Sequence, residues 1–597
     1  MNLMKKIKIL YLFLLGVLLT TSCNDDYMER YPENGISDGS VWKTPMDLQL
    51  YVNNFYNRTD LLPRDEGSGK MGIYGYDRDN GSDTQIPQNY STRMNGQSSI
   101  PASGGDWNYD AWQALRDINY FFHHYEKVQG NQDEINRYVG EALFFRALFY
   151  YKKLVKFGDL PWYDSLINPE DDVLYKPRDP RDYVVDRLME DLDKAVGYLP
   201  SRGTSMNWDG RVNKETAMIL QARIALYEGT WEKYHAGTPF GVQGSDGTKF
   251  LTKAKDVTDA LMAMGTCGLD HVGEENGYHK VFSQKSYANS KEVVFWREYN
   301  KTLALAHWWS NYTTYGGSSG LTKRMIDMYL CNDGKPIEGN PLYQGDDNLL
   351  NVVANRDPRL SQTIYVNDGE HEQFPGVAFT YPSFVEFDKA CITGYQMYKG
   401  HIPSDNLAGA MHDQAMIYFR YGEALLINAE AKAELNVITQ TDIDNTINQL
   451  RRRLIGMADM KLDEVNSLPS SSRIFPDLSN IINEIRRERT VELAVEGFRV
   501  DDIFRWAAAD LLIKGYTPQG AKLAQWLGSL TPDPGEEFAK AVAGLKADSD
   551  GYIAPYIQQV GFPAAGYNFN SARNYLQPIP NDQLVLNPDL KQNPGWE

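Results

Sequence analysis

Apolar residues recur along much of the chain at the spacing of one helix face. Val139, Leu143, Ala147, Tyr150 and Leu154 follow one another at intervals of 4, 4, 3 and 4 residues. Such a stripe predicts an amphipathic helix with one buried side. A glycine follows the last turn at 158 and a proline stands at 161, which is typical of a helix end.

Further segments carry the same period, so that the chain reads as about four pairs of helices. The additional predicted helices are at about 181–199, 214–229, 413–434, 442–454, 478–496 and 501–512. Helix pairs joined by loops favour stacked helical hairpins of the tetratricopeptide-like kind. We therefore predict a predominantly α fold with a helical scaffold at about 108–264 and 411–512.

Three stretches between and after these helices have no helical period. They cover about 59–107, 265–410 and 513–597 and are rich in Gly, Pro, Asp, Asn and Tyr. Loops of this length in a compact protein usually carry function or form a second subdomain. We expect them to form a less regular, loop-rich ligand-binding part beside the scaffold.

The N-terminus has the pattern of a bacterial lipoprotein signal. Lys5, Lys6 and Lys8 precede a short uncharged apolar run, which is too short to span a bilayer. Small residues then lead to Cys23, although the preceding leucine lies one place further from the cysteine than usual. We predict a signal peptide at 1–22 and lipidation of Cys23, the alternative being an ordinary secretory signal with a chance cysteine.

Charge and composition exclude several partners and cofactors. The net charge of −19 disfavours nucleic acid, and the four cysteines lack the spacing of a zinc site or redox pair. His123 and His124 are adjacent and face different directions on a helix. The run from Asp77 to Asp83 resembles a calcium loop, but its glycine is misplaced and its final glutamate is missing. We expect no cofactor, apart from an incidental calcium ion.

A cluster of arginines and glutamates near residue 490 invites comparison with a catalytic carboxylate pair. Glu488, Glu492 and Glu496 share a helical face, and Arg489 falls on the apolar stripe of the same helix. A buried guanidinium needs carboxylate partners. We therefore interpret the cluster as a structural ion-pair network and predict that the protein is not an enzyme.

The aromatic residues of the irregular stretches are the best candidates for a binding site. Sugar rings stack on Trp and Tyr, while Asn and Asp meet their hydroxyl groups. The first cluster comprises Trp308, Trp309, Asn311, Tyr312 and Tyr315, and the second comprises Tyr74, Tyr76, Asp77 and Asp83. We predict a stacking platform for glycan, the alternative being that these aromatics fill a loop-rich core.

Several motifs in the correct order resemble one known family, the SusD/RagB family of nutrient-binding lipoproteins. The motifs are the helix GEALFFRALFYYKKLVKFGDLP at 140–161, NRDPRL at 355–360, IRRERTVELAVEGFR at 485–499, LQPIP at 576–580 and QNPG at 592–595. Each is modest alone, but together they cover nearly the whole chain. On this resemblance, residues 23–597 form one SusD-like domain.

The resemblance implies a setting and a partner. Family members are anchored by lipid to the extracellular face of the outer membrane and deliver oligosaccharide to a SusC-like, TonB-dependent barrel. The acidic stretch Asn24–Asp26 after Cys23 resembles the signal for such export. Three alternatives stay open: a lipid-anchored surface glycosidase, a peptide-binding relative and a mainly structural, gating role.

Overall fold

The computed structural model describes residues 41–63, 78–168, 170–204, 210–385, 390–404 and 412–597. The predicted signal peptide and Cys23 lie outside these residues. Helices dominate, and the strands are short. None of the helices within the described ranges is long and apolar enough to cross a membrane.

The N-terminal part of the scaffold is built from long helices with polar caps. Its elements are α1 Pro45–Asn57, β1 Gln85–Pro87, α2 Tyr109–His124, α3 Gln132–Phe157, α4 Arg181–Tyr198, α5 Lys214–Tyr234 and α6 Thr248–Met264. The Asn131 side chain accepts hydrogen bonds from the first turn of α3, and Gly158 ends that helix at a φ of 72°. The apolar stripe from Val139 to Leu154 is buried along α3, as predicted, but every residue from Arg137 to Tyr151 is buried too, so the helix is covered on all sides and not on one.

The middle of the chain alternates short helices with short strands. Its elements are α7 Gly277–Phe282, β2 Val293–Arg297, α8 Trp309–Tyr315, β3 Ser319–Leu321, α9 Lys323–Met328, α10 Leu349–Val353, α11 Arg359–Thr363, β4 Glu372–Phe374, β5 Val377–Ala378 and β6 Met416–Arg420. Among the described residues there are three strand pairs, and all are antiparallel: β1 with β3, β2 with β6 and β4 with β5. The pair β1–β3 brings residues near 85 beside the end of α8.

The C-terminal part returns to helices and closes with a loop-rich segment. Its elements are α12 Tyr421–Glu434, α13 Gln440–Asn445, α14 Ile447–Arg452, α15 Leu462–Asn466, α16 Asn480–Glu492, α17 Arg499–Arg505, α18 Ala509–Leu512, α19 Gly535–Gly544 and α20 Asn581–Leu586. Helix α12 packs against α5, α6 and α16, which joins the two halves of the scaffold. The predominantly helical, tetratricopeptide-like architecture is therefore confirmed.

Four predicted helices have different bounds in the structure. The helix expected at about 478–496 ends at Glu492, because Val495 has a positive φ of 57°, and Glu496 therefore lies beyond the helix. The helix expected at about 413–434 begins at Tyr421, because Met416–Arg420 is a fully buried strand that pairs with β2. The helix expected at about 442–454 is broken at Thr446, whose backbone has a φ of −128° and a ψ of −87°. The helix expected at about 501–512 is broken near Ala507, which has a positive φ of 50°. Such breaks in the backbone do not change the spacing of the apolar residues, so the sequence pattern does not reveal them.

A buried network of ion pairs joins the scaffold to the loop-rich part. Its acids and bases are Glu292, Arg359, Lys399, Arg420, Arg451, Arg453, Glu488, Glu492 and Glu496. Every member is at most 2% exposed. Each charge has partners of opposite sign, which is the condition for burying it. The predicted structural role of this cluster is confirmed.

Candidate functional site

Three aromatic side chains share the outward face of α8. Trp308 stands at the N-cap of this helix, and Tyr312 and Tyr315 follow at intervals of four and three residues. Residues at this spacing lie above one another on a helix surface. All three are half-buried, whereas the residues between them are buried. The helix therefore presents one row of aromatic rings, which we call the α8 row.

The other two candidates from this cluster face inward. Trp309 is fully buried, and its Nε1 donates a hydrogen bond to the carbonyl oxygen of Gly400 at 2.9 Å. Asn311 is 3% exposed and lies on the same inner side. These two side chains pack inside the loop-rich core, which is the alternative interpretation given above. The structure thus brings together Trp308, Tyr312 and Tyr315 and separates them from Trp309 and Asn311.

Polar side chains from distant segments hold α8 in place. Gln396 donates from its Nε2 to the carbonyl oxygens of Thr313 and Thr314, each at 2.8 Å. The hydroxyl of Thr313 lies 2.7 Å from Nδ1 of His401. Sequence reasoning missed Gln396 and His401, because they are more than 80 residues away from α8 and belong to no recognisable motif. A support of this kind fixes the orientation of the α8 row.

The C-terminal end of α8 needs glycine. Gly316 has a φ of 91° and donates its N–H to the carbonyl oxygen of Tyr312 at 2.8 Å. A Cβ at this position would lie 2.5 Å from the backbone nitrogen of Cys391. Both the left-handed conformation and the close approach therefore exclude a side chain. The sequence predicts an irregular stretch at 265–410 because this stretch is rich in glycine. Gly316, however, ends the short helix α8.

Buried histidines beneath this region are neutral at physiological pH. Burial lowers the pKa of His401 to about 3 and that of His412 to about 4. His307 precedes α8 and is buried as well, with its Nε2 2.9 Å from the carbonyl oxygen of Gln414. The support of the α8 row therefore consists of neutral hydrogen-bonding groups, which suit an uncharged ligand.

Asp83, from the second predicted cluster, is engaged elsewhere. It is fully buried, and its carboxylate accepts two hydrogen bonds from Arg499 at 2.7 and 2.8 Å. The neighbouring Asp79 accepts the backbone N–H groups of Val495 and Arg499. Tyr74, Tyr76 and Asp77 lie outside the described residues. The described part of this segment thus anchors the loop to the scaffold.

Glu492, the last residue of α16, and Glu496, just beyond the helix, are held as carboxylates. Burial alone raises the pKa of Glu492, but the guanidinium groups of Arg453, Arg420 and Arg359 outweigh it and lower the pKa to about 2. The pKa of Glu496 is lowered as well, by Arg420 and Lys399 against the effect of burial. Acids in this state do not donate protons near neutral pH. Within the described ranges, no group of three or more His, Cys, Asp or Glu residues is arranged to hold a metal ion.

Comparisons with family models give matches to two regions. Residues 279–596 match the model described as the SusD family, and this region contains α8 and the ion-pair network. Residues 37–226 match a second model, described as starch-binding associating with outer membrane. The two matches together cover most of the helical scaffold and most of the loop-rich part.

Individual relatives are similar over almost their whole length. The SusD-like protein P2 of Formosa agariphila is 23% identical, with 99% of this chain and 100% of the relative aligned. A SusD-like carbohydrate binding protein from Bacteroides fragilis has the same fold, with a TM-score of 0.68, 19% identity and coverage of 92% and 99%. A laminarin binding SusD-like protein gives a TM-score of 0.55 at 16% identity, with coverage of 93% and 100%.

Proposed function

Because this chain belongs to the SusD family, we propose that it is a glycan-binding protein and that the α8 row stacks against the sugar rings. The observation that carries the proposal is the alignment of Trp308, Tyr312 and Tyr315 on one outward helix face. Flat rings in a row match the repeating apolar faces of an oligosaccharide. Rigid aromatics bind such faces at a low cost in conformational entropy.

The packing of α8 supports this role. Its inner face is fixed by Trp309, Gln396 and His401. A site whose side chains are already placed loses little further freedom on binding. Two structural neighbours are described as carbohydrate binding and laminarin binding, which makes laminarin a natural first probe.

We place the protein on the extracellular face of the outer membrane, anchored through lipidated Cys23. Support comes from the N-terminal pattern of the sequence and from the match to a family described as associating with the outer membrane. Several acyl chains give stable anchoring. In this setting the protein would pass its glycan to a SusC-like, TonB-dependent barrel.

The proposed role is capture without chemistry. Glu488, Glu492 and Glu496 are all paired with buried arginines, and the pKa values of Glu492 and Glu496 are lowered. A glycosidase needs one carboxylic acid that donates a proton and a second carboxylate across the sugar bond. The three glutamates supply neither arrangement.

Affinity electrophoresis of residues 24–597 tests the proposal. Native gels would contain laminarin, starch, xylan, pectin or mannan, and Trp308→Ala/Tyr312→Ala would be compared with wild type. Tyr183→Ala is the matched control, since Tyr183 is 43% exposed on α4. We expect at least one polysaccharide to retard wild type and the control, and the double variant to migrate faster.

Other outcomes would redirect the assignment. Equal retardation of the double variant would contradict the role of the α8 row. Release of new reducing ends from the polysaccharide would identify a glycosidase. Lack of retardation by every polysaccharide, together with binding to a peptide library, would identify a peptide-binding relative.

A further inference from the structure

A second concave site lies where the N-terminal part of the scaffold meets the C-terminal segment, on elements other than those that hold α8. Its cavity has a volume of about 380 Å³ and lies between α2, the loop at 161–175 and α20. This volume falls within the range of small-ligand pockets. We call it the α2 pocket.

Aromatic rings form much of the wall of the α2 pocket. Trp112 meets Tyr163 edge to face, with ring centroids 6.1 Å apart, and meets Trp107 in the same way at 5.4 Å. Tyr109 and Tyr175 stand at the rim with exposures of 76% and 45%. Exposed tyrosines over a wall of packed aromatics are available to stack on a ligand.

The polar part of the lining is almost entirely uncharged. Side-chain amides dominate it, and Arg116 is the sole charged residue that lines the cavity among those described. The amide residues are Asn108, Gln113, Asn119, Asn168, Gln583 and Asn587. Amides donate and accept hydrogen bonds at once, as sugar hydroxyls do. A lining that has six amides and one arginine, and no carboxylate or ammonium group among its described residues, favours an uncharged ligand rich in hydroxyl groups.

Asn119 leaves one buried acceptor unused at this site. It is 2% exposed, and its Nδ2 donates to the carbonyl oxygens of Tyr163 and Ser165, each at 3.0 Å. These two bonds fix the orientation of the amide. Its Oδ1 has no hydrogen-bond partner among the described residues. Buried acceptors are normally satisfied, and a hydroxyl donor in the pocket would do so.

The pocket is organised before any ligand binds. Besides the bonds from Asn119, Arg116 donates from Nη1 to the carbonyl oxygen of Ile167 at 2.7 Å. The hydroxyl of Tyr163 donates to the carbonyl oxygen of Leu174 at 2.8 Å. These contacts hold the 161–175 loop against α2 and so keep the cavity open. A preformed site of this kind loses little freedom on binding.

From this combination we infer that the α2 pocket is a second site for an uncharged sugar unit of a glycan. This inference rests on the proposed glycan-binding function and adds a site to it. Two separate sites on one protein raise the affinity for a long polysaccharide without strengthening either site, because the second contact becomes intramolecular. Short oligosaccharides would not gain in this way.

Variants at the rim test the inference with little risk to folding. Tyr109→Ala/Tyr175→Ala removes two exposed rings. The control Tyr183→Ala/Tyr198→Ala removes two exposed rings outside the pocket, at 43% and 41% exposure. Affinity electrophoresis would use residues 24–597 with the five polysaccharides named above. We expect the rim variant to bind the retarding polysaccharide roughly fivefold more weakly, and the control to match wild type.

A direct readout comes from nuclear magnetic resonance. The indole N–H signals of Trp107 and Trp112, assigned with single Trp→Phe variants, should shift when oligosaccharides of the same polysaccharide are added. They should also shift in the Trp308→Ala/Tyr312→Ala background, where the α8 row is disabled.

The outcomes separate the two proposals. Unchanged affinity of the rim variant together with unshifted indole signals would overturn the second site and leave the α8 row intact. Weakened binding by the rim variant but not by Trp308→Ala/Tyr312→Ala would support the α2 pocket and contradict the α8 row. If wild type binds none of the five polysaccharides, both the α8 row and the α2 pocket are overturned as glycan sites. The same holds if the protein binds peptide and no glycan.

Discussion

The carboxylate of Asp83 and the guanidinium of Arg499 form two parallel hydrogen bonds, at 2.7 and 2.8 Å, across 416 residues of sequence. Both side chains are buried. Burial alone raises the pKa of Asp83, but Arg499 outweighs it and lowers the pKa. The pair therefore fastens the loop before β1 to the first turn of α17, and its function is structural.

Asp83→Asn should destabilise the protein by about 3–5 kcal/mol, because it leaves the buried Arg499 without its counter-charge. Urea unfolding monitored by circular dichroism measures the loss. Glu536→Gln removes an exposed partner of Lys540 and serves as the control with little expected change. A glycan-contacting role for Asp83 would show the opposite pattern, normal stability with reduced glycan affinity.

Trp308→Ala and Trp309→Ala should differ sharply although the residues are neighbours. Trp309→Ala removes a fully buried ring and should cost about 3–5 kcal/mol of stability. Trp308→Ala should change stability by about 1 kcal/mol or less and weaken glycan binding about tenfold. Thermal unfolding and affinity electrophoresis on both variants would decide the matter. Equal losses of stability would show that the outward direction of Trp308 is wrong.

Gly316→Ala should distort the C-terminal end of α8 and so displace the α8 row. The added Cβ would meet the backbone of Cys391, and the φ of 91° is strained for alanine. We expect a stability loss of about 1–3 kcal/mol together with weaker glycan binding. Gly197→Ala is the control, because that glycine lies in α4 with open space around its Cα. The control should be neutral or slightly stabilising, and a neutral Gly316→Ala would refute the strain.

Stability should fall steeply as the pH drops below about 4. Glu492 has a folded-state pKa of about 2, below its unfolded value of about 4.3. A carboxylate whose pKa is lower in the folded protein stabilises the fold fully at pH values above its unfolded-state pKa. This stabilisation is lost as the pH falls through its folded-state pKa. His401, with a pKa lowered to about 3, adds a loss in the same direction once the pH is below about 6.5.

Asp79 opposes this trend at higher pH. Burial raises its pKa to about 6, so the folded protein binds a proton there before the unfolded chain does. Its contribution therefore grows as pH falls from 7 towards 4 and is then constant. Urea midpoints at pH 7, 5 and 3 should show the main loss between the last two. Equal midpoints at pH 5 and pH 3 would contradict the assigned state of Glu492.

Local pattern was sufficient for the long helices of this protein. The stripe from Val139 to Leu154 predicts α3, and asparagine caps and glycine ends fix its bounds. The seven residues of α8 are too few to show a period of their own, and the glycines after them obscured the helix. Without that helix, the outward Trp308 could not be told from the inward Trp309.

Contacts between distant segments could not be predicted from one sequence. Aspartate is a residue type that binds sugar hydroxyl groups, yet Asp83 pairs with Arg499, which is 416 residues away in the sequence. The α2 pocket likewise joins α2 to α20, which is the last helix. The aromatic run around Trp107, Tyr109 and Trp112 was visible in the sequence, but its concave arrangement depends on residues near 583.

The ion-pair network also limits how this polypeptide can be divided for study. Arg359 and Lys399 come from the middle of the chain and pair with Glu488, Glu492 and Glu496 near residue 490. Glu292, also from the middle, pairs with Arg420 and Arg453. Expression of either portion alone would leave charged side chains without their ion-pair partners and would expose them to solvent, although they are buried in the whole protein. The loop-rich part should therefore fail to fold as an excised fragment, and limited proteolysis between these portions should leave the two pieces associated under native conditions.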